Sequence, residues 1–342
     1  MTTNHHRADP GTPLLLGTRK SKLAVAQASW AARRITAATG RSVNLVLLSS
    51  EGDESDAPIE RFGSTGVFVT ALRKALLAGK VDFVVHSFKD LPTAPEAGLQ
   101  LAAVPAREDP RDALAASAGP PASLGALPPG ARVGTGSPRR AAQIRARAPY
   151  LTVVPLRGNV DSRLARTETG ELDAVVLAMA GLSRLGRLNA VATPLEPGIV
   201  MPAPSQGALA IECRADDAPT AAALRAVDDA PSRLAVTAER AFLAGLDAGC
   251  TSPVGALAVP DGDGGALRLD GLVAVPDGSS VLRRSTTGPA ATPTEAAALG
   301  RRLARTLLAG GGADVLAAQP QAAGSTDPRS RPVHPSQPIG HG

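Results

Sequence analysis

Four short stretches place cations and hydroxyls directly after apolar runs: GTRKS (17–21), HSFKD (86–90), GTGSPRR (134–140) and LRGNVDSR (156–163). Each reads as the end of a strand that hands over to a helix through Gly, Ser or Thr. In open α/β sheets ligands collect at the carboxyl ends of parallel strands, where helix N-termini present backbone N–H groups. Gathered there, Arg19, Ser21, Lys89, Ser137, Arg139, Arg140, Arg157 and Arg163 would give one cleft several guanidinium groups, and a guanidinium holds carboxylate or phosphate bidentately. The chemistry implied is recognition of a ligand with several negative charges. Phosphate is the first candidate, but there is no G-x-x-x-x-G-K-[ST], and GTG at 134–136 lacks the third glycine of a dinucleotide fingerprint. A multivalent carboxylate fits the arginines as well. Asp90 is then the odd group out: a carboxylate among cations, able to stabilise a positive charge as it develops, or else a cap for the turn before Leu91-Pro92.

The elements that must position these groups alternate. Val/Leu-rich runs at 14–18, 43–48 and around VDFVVHS are separated by helical patterns from about Ser21 to Ala38 and near 66–78. A second block repeats the theme with ARVGTG, a helix beginning near Ser137, LTVVPLRG, a helix from about Val160, and LDAVVLA. Such alternation predicts parallel strands covered by helices, and the Pro/Gly-rich SAGPPASLGALPPG between the blocks reads as a surface connection. After residue 230 an amphipathic helix, PSRLAVTAERAFLAGLD, leads to the loop AGCTSPVG. Strand-like runs parted by PDGDGG and PDGSS follow, then a helix near 293–309. That grammar predicts a small α+β domain with an antiparallel sheet. The Pro/Gly/Ser-rich stretch 319–342 lacks periodicity and is expected to be disordered.

Composition narrows the function classes. The chain has 342 residues, 44% hydrophobic and 20% charged, with a formal net charge of +5, so a sizeable core divided among two or three domains is expected. One Trp, one Tyr and five Phe supply few stacking platforms, which argues against nucleic acid despite the basic balance. No window of 18 apolar residues exists and MTTNHHRADPGTP lacks an apolar signal core, so a cytoplasmic protein with no membrane partner is expected. Cys213 and Cys250 cannot build a disulfide framework and lack the spacing of a metal site, so no metal is expected. Cys213, inside a strand pattern, reads as buried and structural.

From about Leu14 to Ala318 the chain resembles the porphobilinogen deaminase (hydroxymethylbilane synthase) family. The resemblance runs through GTRKSKLAVAQ, VHSFKDLPT, REDPRDAL, VGTGSPRRAAQI, LRGNVDSRL, LDAVVLAMAGLSRLG, MPAPSQGALAIECR and LDAGCTSPVGA, in that order. It implies an enzyme that joins four porphobilinogen molecules head to tail into the linear tetrapyrrole hydroxymethylbilane. Ammonia is released at each step, and the chain grows on a covalent dipyrromethane primer. It implies an α/β fold of two doubly wound, periplasmic-binding-protein-like lobes plus a small α+β C-terminal domain: 13–108 with 207–228, then 112–202, then 230–318. Carried across by position, the catalytic aspartate is Asp90 and the thioether to the dipyrromethane belongs to Cys250. Ser21, Lys89, Thr135, Ser137, Arg139, Arg140 and Arg163 resemble cofactor contacts, and Arg19, Arg157, Arg184 and Gln206 resemble groups that receive substrate carboxylates. A monomer is expected, its product passed to a separate cyclising synthase. Departures from the family pattern are Thr65 in place of a usual lysine, Phe88 for methionine or leucine, Gly136 for serine and Ser205 for glycine. A binding module for a polycarboxylate, without catalysis, is the alternative of a different class.

Overall fold

The computed structural model describes residues 12–48, 67–116, 118–119, 121–188, 192–248, 252–262 and 264–318. Cys250, Thr65 and the 319–342 tail lie outside the described residues.

The first lobe holds β1 (Leu14–Arg19), α1 (Lys22–Thr39), β2 (Val43–Leu48), α2 (Val67–Leu77), β3 (Phe83–Ser87) and β4 (Leu99–Ala103). Ser21 starts α1 with its hydroxyl accepting from Ala24 N at 3.3 Å, and Gly40 ends it in the left-handed region. The helix then buries Ala28, Ala31, Ala32 and Ile35 against the sheet. In the second lobe are β5 (Asp112–Ala115), β6 (Arg132–Thr135), α3 (Pro138–Arg147), β7 (Thr152–Pro155), α4 (Val160–Glu168), β8 (Ala174–Ala178), α5 (Met179–Arg184) and β9 (Ala192–Leu195). Ser137 and Asn159 cap α3 and α4, and Pro138 stands where a helix needs no N–H donor. The chain then returns to the first lobe as β10 (Leu209–Arg214) and α6 (Ala218–Arg225).

The two five-stranded sheets have related orders, β2-β1-β3-β10-β4 and β7-β6-β8-β5-β9. In each, three parallel strands carry the alternating β/α pattern. In each, one strand enters antiparallel: β10 against β3 and β4, β5 against β8 and β9. The expectation of parallel strands therefore holds for β1–β3 and β6–β8 and needs correcting elsewhere. Both antiparallel strands follow a crossing between lobes rather than a helix of their own lobe, so nothing requires a right-handed parallel return.

The C-terminal unit packs α7 (Ala230–Gly245) and α8 (Pro293–Leu307), followed by α9 (Ala313–Ala317), on the antiparallel sheet β11 (Val254–Pro260), β12 (Ala266–Ala274) and β13 (Val281–Pro289). Thr292 and Glu295 form a reciprocal capping box at the start of α8. With aromatics at 2%, cores are built mainly from Ala, Val and Leu around Phe83 and Phe242, both fully buried. Gly300 lets α7 and α8 approach, since a Cβ there would run into the Ala238 carbonyl.

One buried carboxylate ties this unit to both connections between the lobes. Glu239 on α7, fully buried, receives Arg107 Nη1 at 2.7 Å and Nη2 at 3.0 Å from the outgoing connection and Ser205 N at 2.6 Å from the returning one. Ser205 sits at φ 63°, a region where L residues other than Gly, Asn and Asp are uncommon. This explains why glycine would be the ordinary residue there. Arg107 Nε also donates to Gln206 O at 2.8 Å, so the returning connection is held at two successive residues.

Candidate active site

The parallel strands β1, β3, β6, β7 and β8 carry sequence-predicted residues at or after their carboxyl ends: Arg19 and Thr135 end their strands, Lys89, Asp90 and Ser137 follow within three residues, and Arg163 and Arg184 lie on the helices beyond. Phe83–Ser87 is buried apart from its last residue. It runs directly into a three-residue 3-10 turn, Phe88–Asp90, in which Phe88 is buried, Lys89 half-buried and Asp90 exposed. Leu91 N closes that turn on Phe88 O at 3.1 Å, and Pro92 follows. A buried strand thus leads into a short turn whose last residue, a carboxylate, faces solvent. On the neighbouring helix Gln27, six residues beyond Ser21, exchanges hydrogen bonds with Ser87 Oγ, which brings the first half of α1 beside the end of β3.

Across from it, Thr135 is buried at the end of β6, where its Oγ1 accepts from Ser137 N at 3.2 Å. Gly136 between them is required by close approach: a Cβ would run into the Leu156 carbonyl, so the serine usual in the family could not be placed here without moving that strand end. Arg163 Nε donates to Gly158 O at 2.8 Å, and its Nη2 lies beside Gly136. Arg157 is exposed on the turn after edge strand β7. Arg184, at the end of α5, reaches the hinge and donates to Gly207 O at 2.7 Å. Gly207 itself has φ 90° and approaches Glu108 too closely for any Cβ.

The arginine pair following Ser137 is placed differently from a pair open to a ligand. Arg139 is 3% exposed and Arg140 5%, and both turn onto Asp112, which is fully buried at the head of β5. Arg139 Nη1 reaches Asp112 Oδ2 at 2.8 Å, while Arg140 Nε and Nη2 reach Oδ1 at 2.9 and 2.6 Å. Further guanidinium N–H groups meet the Met201 and Val176 carbonyls. Gln206 Nε2 adds a donor to Asp112 Oδ1 at 2.8 Å, and its Oε1 accepts from Lys89 Nζ at 3.4 Å. One chain of contacts therefore joins Asp112 in the second lobe, through the hinge glutamine, to Lys89 beside Asp90.

Asp112 was not among the sequence-derived candidates. Its signal was an acid opening the apolar run DALAA, which a buried strand can tolerate only if cations meet it. The charge balance of the cluster is one-sided. Among the described residues, the carboxylates that act on Lys89 are those of Asp90 and Asp112, and the one that acts on Arg139 is that of Asp112. Burial first, then the neighbouring Arg140, lowers the Arg163 guanidinium. Burial also brings the Lys89 ammonium down to about 8 against the opposing pull of Asp90, and the Arg184 guanidinium down to about 10. Net positive charge held in poorly hydrated surroundings is a site complementary to an anion. Among the described residues no group of three His, Cys, Asp or Glu side chains could hold a metal ion. One apolar cavity of about 440 Å³ lies between the C-terminal unit, which contributes Leu234, Leu257 and Pro260, and Arg107 and Pro110 of the outgoing connection, and contains none of the predicted site residues.

Two family models cover most of the chain. One, described as "Porphobilinogen deaminase, dipyromethane cofactor binding domain", matches residues 14–222, and the other, "Porphobilinogen deaminase, C-terminal domain", matches residues 233–309. The chain belongs to the porphobilinogen deaminase family. A porphobilinogen deaminase of Nocardia farcinica is 54% identical over 316 residues, 90% of this chain and 89% of that one. Porphobilinogen deaminase 1 of Streptomyces avermitilis is 55% identical over 314 residues, 89% of this chain and 97% of that one. Among solved structures, an arginine-specific periplasmic binding protein of Salmonella typhimurium is similar at 12% identity and a TM-score of 0.36, over 64% of this chain and 92% of that one. At that score the likeness adds nothing to the fold, which rests on the two sheet orders. As a family member the chain is an enzyme, a hydroxymethylbilane synthase acting on porphobilinogen, and it carries the dipyrromethane-binding domain. The surplus of buried positive charge fits a primer whose two pyrrole rings carry carboxylates.

Proposed function

We propose that Asp90 is the catalytic group of this synthase and that the cations around it hold the carboxylates of primer and substrate. The observation that carries this is the one exposed carboxylate at the tip of β3, set beside a net-positive cluster drawn from both lobes. A dipyrromethane primer tethered through Cys250 would supply, when bound, the acceptor pyrrole carbon for the first coupling. Lys89 and Arg163, with Ser21, Thr135 and Ser137 shaping the strand ends, hold its carboxylates, together with whatever donors Arg139 and Arg140 retain beyond Asp112. Arg19, Arg157, Arg184 and Gln206 receive substrate carboxylates.

At each coupling, ammonia leaves the aminomethyl carbon of porphobilinogen. A bond forms between that carbon and the free α-carbon of the acceptor pyrrole, which then loses its hydrogen as a proton. Positive charge develops on the substrate ring as the C–N bond breaks. Asp90 accepts the pyrrole N–H and stabilises that charge inside a field that otherwise repels it. In this reading the same carboxylate takes up the departing proton. The wider assignments belong to this reading too: a cytoplasmic monomer handing its product to a separate cyclising synthase. No described helix is long and apolar enough to cross a membrane, and the exposed large hydrophobics Leu47, Leu77 and Tyr150 do not form one patch of sequence or element.

Intact mass tests the reading directly. Protein purified from a host that makes porphobilinogen should exceed its sequence mass by one dipyrromethane, with the adduct on the peptide containing Cys250, and Cys250→Ser should lose both adduct and turnover. An unmodified mass would favour a polycarboxylate-binding module instead.

Lys89 gives the reaction an alkaline limit. Its folded value of about 8 lies below the ordinary lysine value of about 10.4. Between those two pH values the unfolded chain keeps a proton that the fold has released, so stability rises with pH there while affinity for anions falls. Bound carboxylates raise the value, so the falling limb of kcat/KM should lie at or above pH 8, and Lys89→Arg should move it up by about one pH unit or more. An alkaline limb left in place by that substitution would remove Lys89 from the anion-holding set.

A further inference from the structure

We propose that Arg240 is a positioning residue for Asp90, fixing from the C-terminal unit the short turn that ends in the acid. The inference rests on Asp90 being the catalytic group. A three-residue turn closes only one backbone bond of its own, Leu91 N to Phe88 O, and the carbonyls of Leu91 and Pro92 that follow it need donors from elsewhere. Arg240, on α7, supplies them: its Nη1 donates to Phe88 O at 3.3 Å and to Leu91 O at 3.0 Å, and its Nη2 donates to Pro92 O. The same guanidinium lies over the Phe88 ring, with Cζ 4.4 Å from the centroid. Its hydrogen bonds thus bracket Lys89 and Asp90 on both sides, while the ring face fixes its own plane. A methionine or leucine at 88, ordinary in the family, would give the carbonyl but not the face, so Phe88 makes the clamp stiffer in this chain.

Packing behind the clamp is equally specific. Phe88 is 3% exposed and shares an apolar cluster with Val236, one helical turn before Arg240. Beyond it lies a buried ion group in which Glu212 takes Arg73 Nε at 3.0 Å and Nη2 at 2.7 Å, with His86 Nε2 at 3.1 Å. Glu212 favours the cationic form of Arg240 and Arg73 opposes it; burial, the largest influence, lowers the Arg240 guanidinium to about 10, which leaves it charged at neutral pH. Helix α7 ends at Gly245, five residues before Cys250 in sequence. The same helix that leads to the proposed tether therefore also grips the acid's turn, which would keep primer and carboxylate in one frame as the lobes adjust to a lengthening product.

Holoenzyme variants test this. Arg240→Met should lower kcat by roughly 10- to 100-fold with KM changed by less than about 3-fold, because a shift of about 1 Å in an otherwise intact catalytic group costs rate rather than binding. Arg240→Lys, able to satisfy one or two carbonyls, should recover part of that loss. In an Asp90→Asn background Arg240→Met should cost little more, since the residue acts through the acid. A kcat for folded Arg240→Met within 2-fold of the parent, a loss expressed in KM alone, or full additivity with Asp90→Asn would overturn the proposal. Should Arg240→Met be recovered unfolded, Phe88→Leu and Arg240→Lys decide by the same split between kcat and KM: a selective fall in kcat supports the clamp, and parental kcat in both refutes it. Asp90→Asn alone separates the two claims, because parental turnover there sinks the catalytic reading, whereas an inactive Asp90→Asn beside an unimpaired Arg240→Met sinks only the clamp.

Discussion

Asp90→Asn is expected to leave a folded protein whose turnover of porphobilinogen falls by roughly 10²- to 10³-fold, the loss seen when a key group stabilising transition-state charge is removed. The size follows from the surroundings. Lys89 is lowered only to about 8 and so stays largely cationic at neutral pH, and it, the arginine pair and Arg163 all oppose a positive charge forming on the substrate. In the proposed role Asp90 is the carboxylate that offsets part of that repulsion, which the amide of Asn cannot do. The fold should be indifferent to the change. Asp90 is exposed, and its turn is closed by backbone bonds and by Arg240 acting on carbonyls that Asn leaves in place. Loss of ammonia release in a steady-state assay, with circular dichroism and thermal midpoint unchanged, is the expected pattern. Turnover within a few-fold of the parent would remove Asp90 from the chemistry, and Asp90→Glu, which keeps the charge and displaces it, should fall between the two.

The elements that carry these groups were legible because their signals are local. Ser21, Ser137 and Asn159 cap the helices that follow them, and the runs Leu14–Arg19, Val43–Leu48 and Phe83–Ser87 stop where Gly, Ser or Pro interrupts them. The antiparallel strands were not legible as such. Asp112–Ala115 is four residues, too short to show a period, and it and Leu209–Arg214 find their partners far along the chain, where nothing local gives the direction of pairing. Within the site, the sequence pointed to cations but not to what they meet. An arginine after a strand reads the same whether it faces a ligand or a buried acid, and Arg139 and Arg140 turned out to meet Asp112. Arg240 lay in an amphipathic helix with no sign that its guanidinium reaches the acid's turn 148 to 152 residues away.

Asp112→Asn should be the most destabilising single change near the site. The substitution keeps volume and removes the one negative charge between two guanidinium groups that are 3% and 5% exposed. Breaking a buried pair from one side typically costs about 3–5 kcal/mol, because the remaining charge is left without compensation. Here two remain, and the amide's own N–H groups would point at arginine donors. The sign with pH is fixed by direction: the paired arginines hold the Asp112 carboxyl well below its ordinary value, overcoming the opposing effect of burial. Its contribution is therefore complete above the unfolded value of about 3.9 and is lost only as pH falls through the depressed folded value. Urea midpoints compared at pH 7 should show the whole difference between parent and variant, and the gap should narrow in acid. Activity should fall in parallel, since Gln206 loses the carboxylate that orients its amide toward Lys89. Arg139→Leu and Arg140→Leu should likewise lower stability as well as activity, in contrast to Arg157→Leu, which removes an exposed cation. Equal urea midpoints for Asp112→Asn and the parent at neutral pH would mean that these arginines are held by their carbonyl partners alone and are freer to meet a ligand than the buried pairing implies.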